Sequence, residues 1–266
     1  MSIQNEERRK YARQFSHLTF SDNFMFTHVM ENIDIAKAVL QLILAEEIPE
    51  IADAESEKVI KVIAGKHGVR YDIHIKTQTG ENIYNVEMQK EDEKNTAKRA
   101  RYYQSTSDAA YLNQGVDYSQ LPNHYTIFIC HFDTFSQNKA LYRFYNYDPI
   151  NQLALDDGTT KIFLYIDGQT DREELSNFMQ YLKTGKTTDS LTEDIDDEVK
   201  RIRESSEAFI EYIDTMIHEK EIREKSKEEG SLNTLIELVK EGNLSIEVAS
   251  CKANMTVEEF QKRMEE

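Results

Sequence analysis

Three oxygen-bearing side chains stand at spacings that suit a cation. Asp72, Glu87 and Gln89 lie in two short segments, VRYDIHIK at 69–76 and NIYNVEMQ at 82–89, that alternate polar and apolar residues. Such alternation marks a half-buried strand. The intervening QTGE supplies a turn through Gly80, so the two segments read as a β-hairpin. Val69, Tyr71, Ile73 and Ile75 are expected on one face of the first strand, with Arg70, Asp72, His74 and Lys76 on the other. A turn centred on Thr79 and Gly80 makes opposed residue numbers sum to 159, which sets Asp72 across from Glu87 with Cβ atoms about 5 Å apart. Two carboxylates at that separation repel unless a cation lies between them. Mg²⁺ or Mn²⁺, which takes one or two carboxylates together with water and phosphate oxygens, suits the pair. Gln89, on the face of Glu87, has an amide that can orient an attacking water or contact phosphate. Spacing alone leaves a second reading open, a solvated polar face, and on spacing alone that is the commoner case.

Other groups have competing uses. Asp22 is spaced from Thr19 like a capping box, so a helix-capping role competes with a place in the site. Arg99 and Tyr103, one helical turn apart in KRARYYQS, have the spacing to hold a phosphate, and Tyr103 serves ordinary helix packing equally well. His74 has no Cys or His partner at ligand spacing, which argues against zinc. No Ser or Cys nucleophile, phosphate loop or dinucleotide fingerprint is present, so no nucleotide cofactor is expected.

The elements that must carry these residues follow from periodicity. Phe15 to Glu47 reads as two helices, the second beginning near Asp34 with Ile35, Val39, Leu42 and Ile43 at helical intervals. Lys58 to Ala64 reads as a short strand, broken by Gly65 and Gly68. After the hairpin, Glu91 to Asn113 reads as a helix, and HYTIFICHF (124–132) as a central strand apolar on both faces. Further strands are expected at Leu141–Tyr147 and Lys161–Tyr165, joined through Asp156, Asp157 and Gly158. The result is a mixed α/β sandwich around one sheet.

Beyond Asp171 the chain turns helical and acidic. Ile195, Val199, Ile202, Ser206, Phe209, Ile213 and Met216 form a stripe that either packs on its own domain or pairs two copies as a coiled coil over 195–216. A linker KSKEEGS (225–231) leads to a small helical tail, in which Gly242 ends one helix, Ser245 starts the next and Thr256 with Glu259 forms a capping box. The expected division is 1–170, the domain carrying the carboxylates; 171–229, an acidic helical segment; and 230–266, the tail module.

Bulk properties narrow the function. The 266 residues carry a net charge of −17, unfavourable for tight binding to nucleic acid. Residues 1–150 hold 17 Lys and Arg against 21 Asp and Glu, whereas 151–266 hold 15 against 28, so the front half is nearly balanced and can present a local basic patch. The tail (232–266) has four basic residues against seven acids, which disfavours a DNA-reading role for it. The longest nearly apolar run, Ala38–Leu44, is too short to span a bilayer and the charged start MSIQNEERRKYARQ is no signal peptide, so a cytoplasmic, membrane-free protein is expected. Cys130 and Cys251 are the only cysteines, in keeping with a reducing compartment.

A first acid in one strand, Glu-x-Gln about fifteen residues later in the next, then a helix and an apolar strand, resembles the PD-(D/E)xK nuclease superfamily. The segments FSDNFMFTHVM, VRYDIHIK, NIYNVEMQ, KRARYYQS and LNQGVDYSQLPNHYTIFICHF resemble, within it, the recombination-promoting nuclease and putative-transposase family, over about residues 15–135 and again in the tail. The resemblance implies a restriction-endonuclease-like mixed sheet flanked by helices, with a helical C-terminal extension. It further implies metal-dependent DNA cleavage, with Asp72 and Glu87 as metal ligands and Gln89 where the superfamily usually has lysine. Asp22, Arg99 and Tyr103 match further positions of the pattern. A glutamine orients but brings no charge, so the alternative is a nuclease fold of weak or no activity that serves as an interaction or regulatory module.

Overall fold

The computed structural model describes residues 3–60, 69–92, 94–112 and 115–265. In chain order the elements are α1 (Ile3–Phe15), α2 (Asn23–Met30), α3 (Ile33–Leu44), β1 (Ile51–Ile60), β2 (Val69–Thr77), β3 (Asn82–Gln89), α4 (Thr96–Tyr111), β4 (Asn123–Cys130), β5 (Leu141–Phe144), β6 (Tyr147–Asp148), β7 (Leu153–Ala154) and β8 (Thr159–Tyr165). The helices α5 (Glu173–Thr184), α6 (Ser190–Glu204), α7 (Ser206–Lys240), α8 (Ile246–Lys252) and α9 (Val257–Glu265) follow. The chain forms two compact units: 14–205, and 1–13 together with 206–266.

In the larger unit a six-stranded mixed sheet runs β1-β2-β3-β4-β8-β5. The pairs β1/β2, β2/β3 and β8/β5 are antiparallel, whereas β3/β4 and β4/β8 are parallel. Parallel neighbours need a crossover, and α4 supplies it between β3 and β4. It packs where Ala100, Phe128, Cys130 and Phe163 cluster. The alternate positions Ile127, Ile129, Ile162 and Leu164 are equally buried, so both faces of the central strands are covered. The helices α2 and α3 pack on β1, and α2 also on β2.

The β2/β3 ladder has the expected register: Ile73 faces Val86, His74 faces Asn85, Ile75 faces Tyr84 and Lys76 faces Ile83. Its strict alternation breaks at Asp72, however. Tyr71 and His74 are three residues apart, yet both meet α4, Tyr71 through Tyr103 and His74 through Tyr111. A regular strand cannot aim residues i and i+3 at one helix. The ladder to β3 ends at Ile73, and on the other side Glu57, opposite Asp72, takes a left-handed φ of 48°. The step carries Val69 and Tyr71 to the α4 side, so they do not share a face with Ile73 and Ile75 as alternation predicts.

Other departures have local causes. β1 starts at Ile51, seven residues before the expected Lys58, and residues 61–64, Gly65 and Gly68 lie outside the described part. Its segment ADAESE is acidic and poor in strand formers, but charge suits a sheet edge, where it discourages pairing with another chain. α4 begins at Thr96 instead of Glu91, because Lys94 and Asn95 both have positive φ; Asn113, its expected end, is not among the described residues. The expected linker 225–231 is helical, inside α7: its one glycine, Gly230, costs about 1 kcal/mol in a helix, and Lys and Glu around it are helix formers. In the tail, Gly242 has φ 75°, Ser245 caps α8, and Thr256 and Glu259 exchange capping hydrogen bonds. Among the described residues no helix is long and apolar enough to cross a membrane.

Candidate metal and phosphate site

Where β2 parts from β3, two carboxylates fill the gap. The Asp72 backbone N–H donates to Glu87 Oε1 at 3.1 Å, and the Met88 backbone N–H donates to Asp72 Oδ2 at 2.9 Å. Each side chain thus satisfies a main-chain donor of the opposite strand that the interrupted ladder would leave unpaired. The second oxygen of each carboxylate has no hydrogen bond to any described residue. Glu87 is 2 % exposed, so these residues do not form a solvated face. Arg99 of α4 acts on the charge of both.

Burial dominates the electrostatics. It pushes the Asp72 carboxyl up to about 6, against the Met88 N–H and the charges of Arg70 and Arg99, which favour the anion. Glu87 is raised further, first by burial and then by the neighbouring Asp72 charge. A buried pair that resists double ionisation is what a divalent cation relieves. Two hard oxygen donors with one free oxygen each fit Mg²⁺ or Mn²⁺, the remaining positions falling to water and phosphate. Among the described residues no three of His, Cys, Asp and Glu come together as a complete metal cage.

Gln89 ends β3 beside this pair and is held from α4. Arg99 donates from Nη1 to Gln89 Oε1 at 2.9 Å and from Nη2 to the Tyr103 hydroxyl at 3.2 Å. Its guanidinium lies 5.5 Å from the centre of the Tyr103 ring and 5.8 Å from that of Phe128. The ring contacts and hydrogen bonds hold a delocalised cation against the sheet. Arg99 therefore sets a positive charge beside the neutral Gln89.

Asp22 has partners of its own at the start of α2. It is the N-cap residue of α2, but its carboxylate does not cap that helix. It accepts from the Thr19 N–H and hydroxyl and from the Lys90 ammonium, the last at 2.6 Å. These donors together hold its carboxyl below the usual range despite partial burial. Lys90, adjacent to Gln89 in the strand, is thereby directed to Asp22. His74, two residues beyond Asp72, is buried, and burial lowers its pKa to about 4. It bonds Asn85 Oδ1 and the Tyr111 hydroxyl.

Sequence reasoning missed Asn85, His124 and Asp108, which join His74 in a hydrogen-bonded row under α4. The available signal was polar residues at inward positions of strands otherwise rich in Ile, Val and Phe. No curated protein and no solved structure matches the chain. A family model described as PD-(D/E)XK nuclease family transposase matches residues 22–241, a span that holds the whole sheet, the splayed carboxylate pair and the helix behind it. On the strength of that match, the chain belongs to the PD-(D/E)XK nuclease family transposases.

Proposed function

We propose that the chain is a Mg²⁺- or Mn²⁺-dependent DNA endonuclease in which Asp72 and Glu87 hold the metal and Gln89 and Arg99 serve the phosphate. The observation that carries this reading is the parting of β2 from β3 at Asp72, with one oxygen of each carboxylate fixed by a main-chain N–H and the other left for a cation. When bound, the metal supplies Lewis acidity at a phosphoryl oxygen and makes water a stronger nucleophile. Asp72 and Glu87 orient that charge. Gln89, its carbonyl oxygen taken by Arg99, has its amide N–H groups left to donate to a phosphate oxygen. The Arg99 guanidinium offers the positive charge that glutamine lacks, as phosphorus gains an oxygen from water and the bond to the leaving alkoxide breaks. The products are a phosphate monoester and an alcohol, the proton of water ending on the leaving oxygen.

Charge near the site supports a nucleic-acid substrate despite the acidic whole: Lys98, Arg99 and Arg101 follow one another closely at the start of α4. The test is nicking of supercoiled plasmid with Mg²⁺ or Mn²⁺. Wild-type protein converts it to the open circle, whereas Asp72→Ala and Glu87→Gln lose at least about 100-fold. Absence of nicking by the wild type, or nicking that survives both substitutions, overturns the reading.

A further inference from the structure

The row of polar groups beneath α4 has a direction, and one carboxylate sets it. Asp108, on α4, accepts only, so the His124 nitrogen 3.1 Å away, Nδ1, carries the hydrogen. In a neutral ring, Nε2 then accepts, and Asn85 turns its NH₂ to it at 2.7 Å. That leaves Asn85 Oδ1 to accept from His74 Nδ1 at 2.6 Å, and His74 Nε2 to accept from the Tyr111 hydroxyl at 2.8 Å. Every donor meets an acceptor from α4, across β4, β3 and β2, and back to α4. His74, Asn85 and His124 are each no more than 2 % exposed, so a reversed or broken link would strand a polar group without water.

The helix above needs such a device. The buried residues of α4, Thr96, Ala100, Thr106 and Ser107, are small, and its large side chains that face the sheet, Tyr103 and Tyr111, are only partly buried. Small side chains on a flat surface tolerate sliding, whereas directional hydrogen bonds do not. The row clamps the C-terminal half of α4 at Asp108 and Tyr111, while the N-terminal half, which carries Arg99, is held at Tyr103 by the Tyr71 hydroxyl and by ring contacts with Tyr71 and Phe128. We propose that Asp108, acting through His124, Asn85 and His74, is a positioning residue that fixes the register of α4 over the sheet and so holds Arg99 against Gln89. The placement of Arg99 stands by itself; its value for catalysis rests on the nuclease reading above.

Two measurements on the full chain separate these levels. In ¹⁵N spectra of the histidine rings, His124 and His74 of the wild type each appear as the single tautomer protonated at Nδ1. In Asp108→Asn, whose amide can donate or accept, a His124 population protonated at Nε2 appears and the Arg99 Nε–H exchanges faster with water. Tyr111→Phe, which removes one hydroxyl from the far end, changes the His74 ring signals and also speeds Arg99 exchange. Wild-type rings protonated at Nε2, or Arg99 exchange unchanged in both variants, overturn the proposal. In plasmid nicking, Asp108→Asn costs about 10-fold in the wild type and nothing in an Arg99→Gln background. Equal losses in both backgrounds assign Asp108 a merely structural role and overturn its positioning one. If the wild type does not nick, the nuclease reading fails, and the ring and Arg99 signals still decide the positioning of α4.

Discussion

The Asp72 carboxyl binds its proton more tightly in the folded chain than in the unfolded one, because burial raises it from an ordinary 3.8 to about 6. Metal-free protein therefore loses stability as pH rises through that interval, by about 3 kcal/mol, and the loss levels off above it. Urea unfolding between about pH 4.5 and about pH 7.5 measures this. Relative to Asp72→Asn, the wild type should weaken with rising pH, and Mn²⁺ should restore it most where the carboxyls are ionised. Parallel pH profiles for the two proteins would remove the argument. Glu87→Gln should abolish Mn²⁺ binding by calorimetry without destabilising the metal-free fold at neutral pH, since an amide is the cheaper group to bury. At Arg99, replacement by glutamine should slow nicking about 100-fold through loss of charge at the phosphate. Sequence made Asp72, Glu87 and Gln89 visible because strand parity and a short turn are local rules. The Lys90–Asp22 ion pair and the Arg99–Gln89 contact were not legible, since they join positions 68 and 10 residues apart through tertiary packing.

Among the elements, β3 and β4 behave as their composition requires and β2 does not. The hairpin register came from pattern alone because a one-residue slip would turn every inward residue outward. The step at Asp72 escaped that logic: it is driven by two side chains that replace ladder hydrogen bonds, and alternation in the sequence continues across it. β1 was foreshortened in the sequence reading by its acids, whose value is at an edge, and α4 was lengthened because left-handed Lys94 and Asn95 give no strong breaker signal. The thin packing of α4 has a measurable side. Ala100 is fully buried against Phe128, Cys130 and Phe163. Ala100→Leu should cost about 1–3 kcal/mol by overpacking, read as a lower urea midpoint. In the same cluster the Cys130 thiol is 1 % exposed and pushed up to about 12, whereas Cys251 is exposed. An alkylating reagent at mild pH should modify Cys251 alone, and rapid labelling of Cys130 would show that α4 lifts from the sheet.

At the level of the whole molecule, charge and construction pull apart. Of the net −17, −13 falls after residue 150 (15 basic against 28 acidic residues), and the basic stretch beside the site, Lys98, Arg99 and Arg101, is short. DNA binding should accordingly be weak and lose affinity with salt at a slope of about −4 or shallower on a logarithmic plot, as roughly four contacts give; a slope near −10 would point to a second basic surface. The helical stripe of 195–216 is divided: α6 ends at Glu204 and α7 begins at Ser206, and Ile195, Val199 and Ile202 are buried within the larger unit. Periodicity revealed the stripe but not its interruption, because Ser205 is an unremarkable residue in sequence. The row of polar groups under α4 also bears on how the chain reaches its fold. It joins residues of β2, β3 and β4 with the crossover helix, so the hairpin by itself can make only the His74–Asn85 link, and the other links form and shed water when β4 and α4 dock. Replacing His74, Asn85 and His124 jointly by apolar residues of similar volume should thus speed refolding while leaving α4 free to settle in more than one place. The groups that fix α4 over the finished site are thus the same ones whose desolvation its docking must overcome.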